Sequence, residues 1–123
     1  MCCQTLERTL IDKLFAVCDY YLLNKSKRNS RHLYDIYKLS KHVDVNKINE
    51  LIPFVRKHRL TLGEKIAPAA NEKYAIINLY NEIFNTYFYR DDYNSITKKL
   101  ILDEITYEEI EERIRKYIYL LKI

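Results

Sequence analysis

The sequence predicts an all-α protein of five or six helices around one core, and three observations predict it. Only one Gly and two Pro occur in 123 residues, whereas an all-β fold of this size needs many turn residues. Leu, Ile, Lys, Glu and Asn dominate, mostly good or tolerated helix formers. Apolar side chains recur at the three-and-four spacing of a helix rather than in the alternation of a strand. Hydrophobic residues make up 48% of the chain, with 12 Tyr and no Trp as the aromatic bulk, enough to bury a real core in a single domain.

Residues Thr5 to Leu23 form the clearest amphipathic helix. At about 100° per residue, Leu6, Leu10, Ile11, Leu14, Phe15, Val17, Cys18, Tyr21 and Leu22 share one half of the wheel. Arg8, Asp12, Ala16 and Asp19 share the other half, and Lys13 lies on the border. A polar, basic loop from Asn24 to Asn29 follows. Ser30 is a candidate N-cap for a second helix over 30–41, with Leu33, Ile36, Tyr37 and Leu39 inward and Arg31, Asp35, Lys38 and His42 along one edge. Asp44 and Asn46 offer caps for a third helix over 46–60, in which Pro53 is expected to force a kink or a restart, and Gly63 marks its stop.

Ala67-Pro68-Ala69-Ala70 reads as a loop, and Asn71 as the cap of a fourth helix over 72–89 with Ile76, Leu79, Tyr80, Ile83, Phe84 and Tyr87 on one face. A short helix over 92–101 follows, with Tyr93, Ile96 and Leu100 inward. The last helix, 106–122, has the best-marked start, because Thr106 and Glu109 form a capping box. Its stripe is Ile110, Ile114, Tyr117, Ile118 and Leu121, and Glu111–Arg115 and Glu112–Lys116 are ion pairs in the favourable order.

Charge is uneven beneath a net +4. Between Lys25 and Arg59 ten Lys/Arg face three acids, and between Asp91 and Glu112 eight acids face only Lys98 and Lys99. A basic front of this kind steers phosphate-bearing ligands such as RNA; two solvated, mutually complementary surfaces are the plain alternative. Cys2, Cys3 and Cys18 form no metal-ligand or disulfide pattern, so free thiols in a reducing compartment are expected. No apolar run is long enough to cross a bilayer, and no signal peptide is evident, which makes the cytoplasm the expected location.

The segment Arg8-Thr9-Leu10-Ile11-Asp12-Lys13-Leu14-Phe15-Ala16, followed by Arg28-Asn29-Ser30-Arg31-His32-Leu33-Tyr34-Asp35-Ile36-Tyr37, resembles toxins of the AbiEii/AbiGii family. There a helix with an Arg-Thr…Lys-Leu pattern precedes a short basic loop and an Arg…Tyr-Asp helix. Asp91-Asp92-Tyr93 and the Tyr107-Glu108-Glu109 helix look like the family's C-terminal pattern. The resemblance covers most of the chain, and its specific part spans residues 8–37. It implies a nucleotidyltransferase fold, in which an N-terminal sheet with a Gly-Ser…Asp motif holds magnesium and a nucleoside triphosphate. The helices that follow add a lysine for the triphosphate and a further acidic residue. By position Lys13 matches that lysine and Asp35 that acidic, catalytic residue, with Arg31 and, more weakly, Arg8 as phosphate holders.

This sequence departs from the pattern in one respect that matters. It has no Gly-Ser pair and nothing like the N-terminal sheet. Phosphoryl chemistry rests on positioning and on charge neutralisation by metal and cations, so the chain looks like the C-terminal helical half of an active site: no metal site of its own, no cofactor alone. Each residue also has a structural reading. Lys13 would snorkel along the core edge, Arg31 and Asp35 would be a local helix pair contributing about 0.2–0.5 kcal/mol, and His32, His42 and His58 lack metal spacing. An exposed Tyr34 would be able to stack on a base.

Four functional readings follow: an inactive fragment or truncated homologue of such a toxin, a half-enzyme completed in trans by the missing sheet domain, a non-enzymatic module binding RNA or protein, and a pure scaffold. An antitoxin protein and self-association through an uncovered apolar face are further candidate partners. The sharpest expectation is geometric. The first two helices should pack antiparallel and bring Lys13, Arg31 and Asp35 to one solvent-accessible groove, whereas the structural reading pairs Asp35 with Arg31 or Lys38.

Overall fold

Helix α1 (Leu6–Leu22) is the element around which the rest is arranged, packing against α2, α3, a 3₁₀ turn and α4. The computed structural model describes residues 6–25, 27, 29–63, 65–71, 74–100 and 104–121. Thr5, Cys2, Cys3, Arg28, Glu72 and the last residue of the expected final helix lie outside the described residues. Leu10, Ile11, Leu14, Phe15, Val17 and Cys18 are fully buried, as the wheel requires. The helix ends in a Schellman motif: Asn24 takes φ 58°, its amide donates to the Tyr21 carbonyl, and the Lys25 amide donates to that of Tyr20.

Helix α2 (Arg31–Leu39) turns Leu33 and Ile36 into the core. It runs antiparallel to α1, because position 35 faces 13 while position 32 faces 20. Ser30 starts α2 but does not cap it with its side chain; its hydroxyl is taken by Asp92 and Thr97 instead. His42 lies past the end of α2, so the expected edge stops at Lys38. Helix α3 (Val45–Leu60) is capped by Asp44, which accepts from the Asn46 amide at 2.9 Å, and it is unbroken through Pro53. Pro53 faces solvent, so the lost backbone bond leaves no buried carbonyl stranded in the core. Gly63, at φ +84°, closes the turn beyond it.

The Ala67–Ala70 stretch, read as a loop, contains a 3₁₀ turn (Pro68–Ala70) with Ala67, Ala69 and Ala70 buried. A buried loop must have its backbone groups satisfied. Asp19 accepts from the Ala69 amide at 2.8 Å, and Arg56 donates to the carbonyls of Ala70, Asn71 and Tyr74. Helix α4 (Ile76–Asn85) is shorter than its pattern suggests and begins after Ala75, not at Asn71. A second Schellman motif with Tyr87 at φ 55° ends it, so Tyr87 is exposed and Tyr89 enters the core in its place.

Helices α5 (Arg90–Asp92) and α6 (Lys98–Leu100) flank a π-helical turn over Tyr93–Thr97. The wider turn shifts the register by about one residue. Tyr93 and Thr97 are therefore the buried pair, Ile96 is half-buried, and Leu100 is 78% exposed. Helix α7 (Tyr107–Ile118) carries the full Thr106/Glu109 capping box and the two expected ion pairs, and it packs on α2 and α4. No strand occurs among the described residues. Three core tyrosines satisfy their hydroxyls on carbonyls: Tyr80 on Leu14, Tyr89 on Val17 and Tyr93 on Ile105. Phe54, Ile66, Leu100, Tyr119 and Leu120 remain well exposed. No described helix is long and apolar enough to cross a membrane.

Candidate functional site

On the seam between α1 and α2, the Lys13 ammonium donates to Asp35 Oδ2 at 3.1 Å. The two side chains keep 27% and 38% of their surface, so this contact is reachable from solvent. Lys13 is brought there by its border position: its stem runs along the buried face while its head reaches the rim. Asp35 is drawn across the helix pair to Lys13, and among the described residues no ion pair joins it to Arg31.

Arg31 and Asp35 line the same groove, of about 780 Å³. Asn29 and Tyr34 complete this wall, and Ile96, Thr97 and Leu100 form the opposite one. The walls are held together by Ser30, whose amide and hydroxyl both donate to Asp92 Oδ2 and whose hydroxyl also meets Thr97 Oγ1 at 2.7 Å. Arg31 is exposed and has no ion-pair partner among the described residues, which leaves its planar fork available to an anion. Tyr34, half-buried, also lines the groove, and the Lys38 ammonium lies over its ring, 6.0 Å from the centroid.

Of the expected residues, Arg31 and Asp35 line this groove and Lys13 and Arg8 do not; Lys13 meets it only through Asp35. Arg8 approaches Asp12 at 4.0 Å; Asp12 meets Arg59 at 3.5 Å; and Arg59 bonds Asp19. This second network corrects the wheel reading of Asp19 as solvent-facing, since Asp19 is 2% exposed. Its carboxyl is pushed up from the ordinary aspartate value by burial, against the opposing pull of the Ala69 amide and Arg59. Its partners come from the 3₁₀ turn and α3, which no helical wheel of α1 contains.

His32 is the residue nearest the site that sequence spacing had set aside. Its ring stacks on Tyr20 at 5.6 Å with planes 14° apart. Its Nδ1 is buried without a partner, and burial, then Lys13, push its pKa down. In the sequence the one signal for it is its place between Arg31 and Asp35, since it has no metal-ligand spacing. Among the described residues no group of three or more His, Cys, Asp or Glu is placed to hold a metal ion.

No curated protein and no solved structure matches the chain. The family model described as "Nucleotidyl transferase AbiEii toxin, Type IV TA system" matches residues 1–119, which include Lys13, Arg31, Asp35 and both walls of the groove, and the chain therefore belongs to the AbiEii nucleotidyl transferase toxin family.

Proposed function

We propose that this chain is the helical, phosphate-gripping half of a nucleotidyltransferase toxin, inactive alone because it lacks the carboxylates that hold magnesium. The observation that carries the reading is the Lys13–Asp35 contact at 3.1 Å, which sets Lys13 against a carboxylate that lines a groove together with Arg31. A triphosphate entering there would take Arg31 bidentately and Lys13 as a point charge, with Tyr34 beneath a base. Asp35, relieved of Lys13, would face the reacting end. When bound, magnesium would supply charge neutralisation for phosphoryl transfer; these helices would hold and orient the nucleotide.

The family's description makes an antitoxin a candidate partner. The uncovered Leu100, Phe54 and Leu120 side chains are consistent with docking of a sheet domain, or with self-association. A complementing sheet in trans predicts a neighbouring reading frame with Gly-Ser…Asp. The decisive experiment incubates the purified chain with magnesium, nucleoside triphosphate and tRNA. No transfer is expected, whereas tripolyphosphate should bind and lose affinity in Lys13→Met and Arg31→Met. Transfer by the isolated chain that Lys13→Ala abolishes would overturn the inactivity. RNA binding that is steeply salt-dependent but indifferent to Lys13 would favour the RNA-binding reading, in which the exposed Lys25, Lys27 and Lys41 hold a backbone.

A further inference from the structure

We propose that His32 is a proton-dependent member of the anion site formed by Lys13 and Arg31, so that a polyphosphate binds there together with a proton on this imidazole. The inference rests on the phosphate-gripping reading above and adds its regulation by pH. The seam of α1 and α2 presents two contacts in succession: Lys13 with Asp35, then Tyr20 with His32. The stack against Tyr20 fixes the plane of the imidazole. The charged groups facing it are Lys13 from α1 and Arg31 and Asp35 from α2, two cations against one carboxylate that Lys13 already occupies.

In the free protein this surrounding opposes a third positive charge. The imidazolium also needs a proton on both ring nitrogens, and Nδ1 is buried without an acceptor. The ring is accordingly held neutral, with its pKa below the usual histidine value through burial, Lys13 and Arg31. A bound polyphosphate reverses the local field. It neutralises Arg31 and draws Lys13 away from Asp35, so that Asp35 becomes a counter-charge for the imidazolium.

Linkage then sets the sign. A ligand that favours the protonated ring is itself bound more tightly by the protonated protein. Affinity therefore rises as pH falls through the imidazole's titration, and the ring titrates at higher pH in the complex than in the free chain. His58, exposed on α3, lies on a different element and serves as the control.

The test is calorimetric titration of the whole chain with inorganic tripolyphosphate between about pH 5 and pH 8. It is run beside His32→Gln and His58→Gln, with the His32 imidazole resonance followed on wild type with and without ligand. Expected is a tightening of at least about fivefold toward the acid end, beyond the ligand's own titration. His58→Gln should keep it and His32→Gln should flatten it, and the His32 midpoint should move upward on binding. Equal pH dependence in wild type and His32→Gln, or a His32 midpoint that ligand leaves in place, would overturn this inference while leaving the phosphate site standing. If a folded wild-type chain binds no tripolyphosphate at any pH, both readings fall. The wild-type resonance decides the matter even if His32→Gln does not fold.

Discussion

Two of the carboxylate–cation contacts on helix α1 look alike in sequence and differ in kind. Asp19 meets Arg59 with 3% and 14% of their side-chain surface left, whereas Lys13 meets Asp35 with 27% and 38% left. The first is sealed and has a structural duty, since Asp19 also holds the Ala69 amide and anchors the 3₁₀ turn. The second is open and joins α1 to α2, whose Arg31, Tyr34 and Asp35 line one wall of the groove. Burial therefore separates a clamp from a site: removing one partner from a sealed pair strands a charge, while an open pair exchanges its partner for solvent or ligand at little cost.

The largest expected effect breaks the clamp. Arg59→Met should cost about 3–5 kcal/mol at neutral pH, read as a fall in the urea midpoint without a change in slope. The sign with pH follows from Asp19. Its folded pKa is raised, so its contribution to stability is fully present below the unfolded value and is lost as pH rises through the folded one. Without Arg59 the carboxyl rises further, and the deficit of Arg59→Met should shrink in acid, where a protonated Asp19 needs no counter-charge. A deficit independent of pH would mean that Arg59 acts through packing on Phe15, 6.0 Å from its guanidinium, rather than through charge.

Ser30→Ala comes next. It removes the hydroxyl shared by Asp92 and Thr97 and should lower stability by about 1–3 kcal/mol, because buried polar groups lose a partner. Amide exchange should quicken over 93–97, the turn that walls the groove. Unaltered exchange there would show that the Ser30 hydroxyl does not hold the groove walls, leaving the backbone amide bond to Asp92 and packing to do so.

Lys13→Met tests the other side of the comparison. Stability should change by less than about 1 kcal/mol, while tripolyphosphate affinity falls several-fold. A large loss of stability would turn the open contact into a second clamp. Smallest of all is the outermost pair, Glu112–Lys116, with 69% and 77% of side-chain surface exposed. Lys116→Ala should shift stability by about 0.2–0.5 kcal/mol at most, and less in high salt.

Much of this fold was legible because it is written in local rules. The α1 stripe, the Asp44 cap, the Gly63 stop and the Thr106/Glu109 box each depend on residues within a few positions of one another, and each is present. Where local signals were weak, boundaries drifted. The fourth helix read on to residue 89 because a tyrosine, not Gly or Asn, adopts the left-handed turn at position 87. Leu100 was expected inward because nothing in the sequence announces a π turn. Of the site, the family pattern singled out Lys13, Arg31 and Asp35, and the first two helices bring Lys13 to Asp35 and Arg31 to the same groove.

Composition and periodicity determined, without further help, that the chain is helical, which faces are buried and how several helices are capped, since these follow from backbone sterics and hydrogen bonds over one or two turns. The family pattern marked three side chains. Only the tertiary structure decided that Asp35 pairs across 22 residues with Lys13 rather than along its own helix, and that Asp19 is a sealed clamp. It also decided that His32 stacks on Tyr20 across the same helix seam. The reason is physical: a charge's role depends on its desolvation and on partners that arrive from other elements, and neither is encoded within the span of one helix.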